Sequence, residues 1–483
     1  MIKISVYNDY CYISGEIYPE IITECTLSQI YFCRDRFKKL RVKERCKCYF
    51  NKKNNSFPTG WLFSKIVKVL KFHNIPYEIV DNRGMLEINN SLVPEFEYEL
   101  RPYQLEVSNL VIKGVHRGII SIGTGGGKTT ISGSIVGHFN LPTLIMVPNL
   151  LLLNQTYKSF CKWFDKNKVG YVGEGVFKPS LFTIATEQTL WSRRETKEVQ
   201  ELLNSVQVLI LDEAHHIQKP NYKSHNPGNT WYLMAMSTPN ARVRIGLTAT
   251  PGKIGDYSRQ LLEAITGKVI YDRPISWLME NNYLTKLKIF IYKLKIDTPY
   301  IGWEESYEKN ILKNELRNKT IVEMAKKLAD DNKRVLIIVN RIDEHGEVLT
   351  KMLGGYAESL YGIDSSKERL EVLGRFVNKE TKIVVSTIIR EGVDLPEMDA
   401  IIIASGGKGG DFGRDLQQKL GRVVRLSENK NCATLIDFYD DDGYMEFVDI
   451  CGKKGRKPNI LLRHSIQRIN VYKREPQFEI NFI

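Results

Sequence analysis

The chain has 483 residues, 42% of them apolar and 26% charged, enough for about three domains at roughly 150 residues each, which excludes a peptide, a disulfide mini-protein and a disordered tail. Sixty-nine basic against 56 acidic residues leave a formal charge of +13, and that excess points to a polyanionic partner. No apolar run approaches the ~18 residues of a membrane span.

The opening MIKISVYNDYCYISG lacks the basic, apolar, small-residue order of an export signal, so the expectation is a soluble, cytoplasmic chain with no membrane partner. Eight cysteines are few for this length, which argues against a disulfide framework. Cys46 and Cys48 flank a single lysine, closer than a zinc knuckle needs, and no second Cys/His pair follows at ligand spacing.

Residues 1–93 read as a small α/β module. Strand-like IKISVYN and YCYISG precede the turn Phe57-Pro58-Thr59-Gly60 and an apolar-periodic helix through Leu62, Ile66, Val69 and Leu70. From Arg34 to Lys53, ten basic residues, Lys38, Lys39, Arg41 and Lys43 among them, face only Asp35 and Glu44. Alternation in KKLRVKERCKCYF would put much of this charge on one side of a strand, where it suits phosphate contact or a solvated face.

Residues 94–275 change character. RGIISIG, LPTLIMVP, SLFTIAT, VQVLILDE and ARVRIGLTAT are short β-rich apolar runs separated by helical stretches, the pattern of a buried parallel sheet with crossover helices. After a transition over 276–310 a second series follows over 311–450: KRVLIIVN, GYAESLYG, TKIVVST, MDAIIIAS and CATLIDFY. Two similar α/β domains in tandem are expected. The basic extension 451–483, with Arg463, Arg468, Lys473 and Arg474, reads as a surface tail or as a docked element extending a nucleic-acid path.

The chemistry concentrates after RGIISI. Gly123-Thr124-Gly125-Gly126-Gly127-Lys128-Thr129-Thr130 lets backbone N–H groups turn towards phosphate oxygens, with Lys128 as the cation at the β- and γ-phosphates and the Thr129 hydroxyl a ligand for Mg²⁺. The strict Gly-x4-Gly-Lys-Ser/Thr pattern fails at its first position, Ile122. A second signal supports the cradle: VQVLIL delivers Asp212 and Glu213, Asp212 to hold Mg²⁺ and Glu213 to orient and deprotonate the attacking water. Adjacent His215 and His216 lack HExxH spacing; a link between the nucleotide and a neighbouring motif suits His215 better than zinc.

These elements, in order, resemble the superfamily 2 helicases and translocases. ELRPYQLE looks like their entry segment, with Arg101 and Gln104 on the adenine side. Asp212-Glu213-Ala214-His215 matches the DEAH-type box, and Thr248-Ala249-Thr250 the element coupling hydrolysis to domain movement. Thr387 to Asp394, including Gly392, matches the penultimate core motif, and Gln418 to Arg425 matches QxxGRxxR.

The resemblance covers roughly residues 98–440 and implies an α/β fold of two tandem RecA-like P-loop NTPase domains, binding ATP and Mg²⁺ between them, behind a small N-terminal α/β domain that binds DNA. It implies that Gln418, Arg422 and Arg425 face the phosphates, with Arg422 or Arg425 the arginine finger. Pro148, Asn149, Leu150, Gln155, Thr186, Glu187 and Gln188 match motifs that grip one strand, as do Asn340, Arg341 and Thr387. Individually these polar residues also suit caps and turns. The Gly-rich segment around Lys408 and Arg414 is a further basic loop.

Among relatives, the short core, TAT element and N-terminal module look most like phage branch-migration and nucleotide-excision-repair helicases. That implies an ATP-dependent DNA helicase for forks and four-way (Holliday) junctions, tracking one strand 3′ to 5′, with replication or recombination proteins as partners and an infected bacterial host as its cytoplasm if phage-encoded. An RNA or R-loop helicase, and the translocase subunit of a restriction system, are the alternatives.

Overall fold

A computed structural model describes the chain except residues 35–39, 87, 89–90, 219–229, 298–301, 362–363, 365, 388–397, 408–431 and 449–453. Lys38, Lys39, Gly392, Asp394, Gln418, Arg422 and Arg425 therefore lie outside the described residues, as do Lys408 and Arg414. The chain forms two compact units, Met1–Ile122 with Gly127–Arg273, and Pro274–Ile483 with the short stretch Gly123–Gly126.

The first unit opens with β1 (Ile2–Val6), β2 (Tyr10–Ser14), the antiparallel ribbon of β3 (Thr26–Arg34) and β4 (Leu40–Cys48), then β5 (Ser56–Pro58) and β6 (Tyr77–Asp81). A four-stranded sheet runs β5-β2-β1-β6. Alternation decides its faces: Ile2, Ile4, Val6, Cys11 and Ile13 are buried while the residues between them point the other way.

This sheet does not own its core. The apolar cluster around Ile4, Phe57 and Trp61 is continuous with Leu209, Trp231, Leu261 and Ala264 of the larger sheet and its helices. The seam is close. Trp61 is fully buried and donates through Nε1 to the Gln260 carbonyl at 2.8 Å, and Lys65 donates to Gln260 Oε1 at 2.7 Å. A Cβ on Gly60 would lie 2.1 Å from the Glu263 carbonyl oxygen and 2.5 Å from that of Ala264, so only glycine permits this approach.

The larger sheet contains β7 (Arg117–Ile122), β8 (Thr143–Val147), β9 (Val169–Gly173), β10 (Val176–Lys178), β11 (Phe182–Thr186), β12 (Val208–Leu211), β13 (Val243–Thr248) and β14 (Val269–Arg273). Its order is β10-β9-β11-β8-β12-β13-β7-β14, parallel throughout except for β10 on β9. Every residue of β8, β11, β12 and β13 is buried, as expected of strands covered by helices on both faces.

The second unit is a seven-stranded, all-parallel sheet. Its strands are β15 (Lys286–Lys295), β16 (Val335–Ile338), β17 (Ala357–Leu360), β18 (Ile383–Ser386), β19 (Ala400–Ile403), β20 (Cys432–Asp441) and β23 (Phe478–Phe482), in the order β17-β18-β16-β19-β20-β15-β23. A small antiparallel pair, β21 (Tyr444–Val448) and β22 (Lys454–Pro458), stands apart from it.

One expectation is corrected here and one alternative is decided. Residues 276–310 are not simply a linker: KLKIFIYKLK is β15, an inner strand paired with β20 over ten residues and with β23 on its other side. Its lysines alternate with buried Leu287, Ile289, Ile291 and Leu294, and that alternation disguises a core strand as a charged transition. Of the two readings of the basic extension, the docked element describes residues 454–483. Its helix Ile460–Tyr472 and strand β23 dock on the second unit.

Arg468, counted among the tail's basic residues, is fully buried. It donates to Asp437 Oδ2 at 2.9 Å, to the Gly407 carbonyl at 2.8 Å and to the Phe438 carbonyl at 2.7 Å. Nearby, buried Arg317 pairs with Asp440 at 2.9 Å and donates to the Ala404 carbonyl at 2.7 Å. Buried charges persist only when paired and hydrogen-bonded in this way.

Among the described residues no helix is long and apolar enough to cross a membrane, and no group of three or more His, Cys, Asp or Glu side chains could hold a metal ion.

Two outcomes follow for stability. Gly60→Ala should cost roughly 1–3 kcal/mol through forced overpacking, read as a lowered thermal midpoint. His345 is fully buried with Nε2 3.1 Å from Asn318 Oδ1, and burial, aided by the Arg317 charge, pushes its pKa down to about 3. The unfolded chain takes up this proton near pH 6.5 and the folded one does not. Stability is therefore complete above pH 6.5 and declines as pH falls towards 3, by about 2 kcal/mol at pH 5. Urea midpoints at pH 7.5 and 5.0 should differ less in His345→Gln than in the wild type.

Candidate active site

The C-terminal edge of a parallel sheet is where α/β proteins hold ligands, and in the first unit the sequence motifs gather along it. The glycine loop follows β7, Asp212 follows β12, and Thr248 ends β13. These three strands are neighbours in the sheet. Asn149 lies just beyond β8 and Thr186 ends β11, the next two strands. The candidate phosphate-binding and candidate strand-gripping residues thus occupy adjoining halves of one edge.

The loop is shaped by glycine. Gly125 and Gly127 have φ of 85° and 76°, in the left-handed region that residues with a Cβ avoid. A Cβ on Gly127 would also meet Gln104 Nε2 at 2.3 Å. Gln104 is buried, and its Oε1 accepts from the Arg101 N–H at 2.9 Å, so the entry segment packs against the loop. Gly127 caps the helix Lys128–Phe139, whose first turn contains Thr129 and Thr130. Tyr98, which sequence inspection did not single out, places its hydroxyl 3.1 Å from Thr130 Oγ1. An aromatic three residues before Arg101 was the available signal.

At the centre stands Glu213. Its φ is +46°, an uncommon conformation for a residue with a Cβ and of the kind that collects at functional sites. Its backbone N–H donates to Asp212 Oδ1 at 2.9 Å. Its carboxylate is 3.2 Å from Lys128 Nζ through Oε1 and 3.3 Å from His215 Nδ1 through Oε2. His215 Nδ1 is 3.1 Å from Thr248 Oγ1, and that hydroxyl accepts from the Thr250 N–H at 3.1 Å. Lys128, Glu213, His215, Thr248 and Thr250 form one connected line, with Ala249 between the two threonines. His216 is exposed and stacks on Trp231, ring centroids 6.4 Å apart.

The donor set fits a magnesium nucleotide. Asp212 is buried, and desolvation, reinforced by the Glu213 charge, pushes its carboxyl up to about 6. Two adjacent carboxylates in a dry setting favour a divalent cation. Thr124 Oγ1 is buried in the loop without a hydrogen-bond partner among the described residues, and the N-terminus of the twelve-residue helix at Lys128 favours an anion.

The remaining residues are distributed as follows. Asn149 caps the helix Leu150–Trp163, its side chain accepting from Leu152 N at 2.9 Å. Leu150 and Gln188 are exposed, while Pro148 and Gln155 are half-buried. Thr186 is buried and its hydroxyl lies 2.8 Å from that of Thr189, capping the helix Glu187–Ser192. In the second unit Asn340 and Arg341 follow β16 and Thr387 follows the adjacent β18. Arg341 pairs with Glu304 at 3.5 Å. Arg41 and Lys43 occupy alternate positions of β4.

Residues 97–253 match the family described as Type III restriction enzyme, res subunit, and residues 316–427 match the helicase conserved C-terminal domain. The chain is 28% identical over 373 residues to the DNA 3′-5′ translocase XPB2 of Sulfurisphaera tokodaii, covering 69% of this chain and 80% of that one. It is 22% identical over 380 residues to the ATP-dependent DNA helicase uvsW of Enterobacteria phage T4, covering 74% and 72%. The solved structure of the ATP-dependent Type ISP restriction-modification enzyme LlaBIII bound to DNA shares the fold, with a TM-score of 0.55 at 15% identity over 87% of this chain and 34% of that one. The matched families span the glycine loop, the Asp212-Glu213 box and the threonine element in one half and a parallel α/β domain in the other, and the chain belongs to the superfamily 2 helicases, ATP-hydrolysing enzymes with two tandem RecA-like domains that include phage and repair helicases.

Proposed function

We propose that this chain is a DNA helicase or translocase that moves 3′ to 5′ along one strand and remodels forked and four-way-junction DNA. The observation that carries the reading is the unbroken line from Lys128 through Glu213 and His215 to Thr248, lying beside Asn149 and Thr186 on one sheet edge. The names of the relatives, a DNA 3′-5′ translocase and a DNA helicase, supply the polarity and the nucleic acid.

In this reading Gly123 to Thr130 cradle the phosphates, Thr129 and Asp212 hold Mg²⁺, and Arg101 and Gln104 border the base. Bound Mg-ATP supplies the transferable phosphoryl group and the cation that neutralises its charge. Lys128 exchanges its Glu213 partner for phosphate oxygen, which frees the Glu213 carboxylate to orient water and accept its proton. His215 keeps contact with Thr248, so a change at Glu213 is felt at Thr248 to Thr250 and beyond. Gln418, Arg422 and Arg425 supply cationic and polar partners to the reacting phosphate, with Gly392 and Asp394 on the nucleotide.

Asn149, Thr186, Asn340, Arg341 and Thr387 lie on strand-end turns suited to backbone contact, which ignores base identity. Arg41, Lys43, Arg45 and Lys47 alternate along the sequence of β4, and this basic segment is the proposed contact for the parental duplex.

Steady-state ATP hydrolysis with single-stranded DNA, fork, four-way junction, duplex and RNA tests the reading. Branched DNA should stimulate the wild type most, and Lys128→Ala should lose on the order of 100-fold or more. RNA-selective stimulation would move the assignment to an RNA or R-loop helicase, and duplex-selective stimulation to a restriction-type translocase. Arg425→Ala should reduce turnover by about 10³-fold while ATP affinity is kept. In His215→Ala, basal hydrolysis should persist while its stimulation by DNA falls about tenfold, within the usual range of site coupling.

A further inference from the structure

The outward face of the N-terminal sheet carries aromatic side chains that the core does not use. Tyr7 is exposed, and Tyr12 stands edge-on to it, with ring centroids 5.5 Å apart and planes at 88°. They line an open cleft of about 670 Å³ whose other walls are Asn8, Asn82, Arg83 and Asn240. Gly84, with φ +68° and nothing within 4 Å of a Cβ position, leaves one side unobstructed.

The cleft is part of the first unit but lies away from the motif edge. Its floor is tied to the start of β7, where Arg117 donates to the Asn8 carbonyl, and Asn240 stands just before β13. Lys128 and Thr248 belong to the opposite ends of those strands, and a six-residue strand rises about 20 Å.

Its chemistry is balanced rather than basic. Arg83 forks onto Asp81, donating at 2.8 and 2.7 Å, and Arg242 approaches the same carboxylate at 3.7 Å. Asp9 adds a negative charge. In a chain of net charge +13, such a cleft is poorly suited to phosphate. It offers two aromatic surfaces and three side-chain amides, the equipment for stacking a flat heterocycle and meeting donors and acceptors on its edge. Asn8 is 9% exposed, and its Oδ1 has no hydrogen-bond partner among the described residues.

We propose that this cleft holds an unpaired nucleobase from a strand other than the one tracked along the motif edge. The proposal rests on the nucleic-acid reading above and adds a base-binding site remote from ATP. Holding one unstacked base there would keep the separated strand from re-pairing behind the motor.

The test uses the full chain, fork DNA with 2-aminopurine in its non-tracking arm, and blunt duplex of the same length. Wild type should bind the fork with a change in 2-aminopurine fluorescence. Tyr7→Ala/Tyr12→Ala should weaken fork binding about tenfold, abolish the fluorescence change and leave duplex affinity unaltered, while Tyr7→Phe/Tyr12→Phe retains both signals. Unchanged fork affinity and fluorescence in the double alanine variant would overturn the base site alone. Equal weakening on fork and duplex would also overturn it, by indicating backbone contact. Failure of the wild type to bind any DNA would overturn the nucleic-acid reading and this proposal with it.

Discussion

The structure of the first unit converges on the carboxylate of Glu213, held between the Lys128 ammonium and the His215 ring in a site from which water is largely excluded. A carboxylate in such a place must be paired, because desolvation without a partner costs several kcal/mol. The pairing demands that a lysine after β7 and an acid after β12 meet although β13 separates their strands in the sheet. The left-handed backbone at Glu213 aims its side chain, and the glycines before Lys128 let the loop turn. Parallel pairing brings the strand ends to one edge, and β13 delivers Thr248 between the other two, which is why the line continues to Thr250.

Buried charge performs a different task in the second unit. Arg317 and Arg468 are sequestered against Asp440 and Asp437, yet each also donates to a carbonyl of the segment that follows β19, Ala404 for one and Gly407 for the other. Tyr307 adds a third donor, its hydroxyl 2.8 Å from the Ser405 carbonyl. Three elements distant in sequence thus hold the backbone just ahead of the QxxGRxxR residues. Asp442 completes the attachment of the C-terminal helix by accepting from Leu461 and Leu462 N–H at 3.1 and 3.0 Å.

The N-terminal segment shows how a small sheet is stabilised by sharing. A four-stranded sheet with a few short helices buries limited apolar surface alone, and here Trp61, Phe57 and Ile4 join the cluster that underlies β12. The close approach at Gly60 brings the backbone of the small sheet's helix onto that of Glu263 and Ala264. The cost is positional: Tyr7, Tyr12 and the paired charges of Arg83 and Asp81 lie outside the shared cluster and do not contribute to it.

Much of this was legible in the chain itself. The apolar runs of β7, β8, β11, β12 and β13 announced a parallel sheet because strands buried on both faces lose alternation, and the ordered motifs from Arg101 to Arg425 identified the helicase family because phosphate chemistry requires those residue types at those spacings. Local order also located the helix after Gly60. Other features depended on contacts between residues far apart in sequence. Lysine alternation concealed β15 as a core strand, since only pairing with β20 and β23 shows which face is buried. Arg468 suited a surface tail and a docked element equally, and only Asp437 and the Gly407 carbonyl around it decide between them. Gly60 read as a turn residue, whereas the Glu263 backbone is what demands it. Sequence by itself determined the chemistry and the alternation of elements, which are local; tertiary structure alone decided which charges are buried, which strand belongs to the core and which aromatic side chains remain outside it, because burial is a property of neighbours that the chain brings together only on folding.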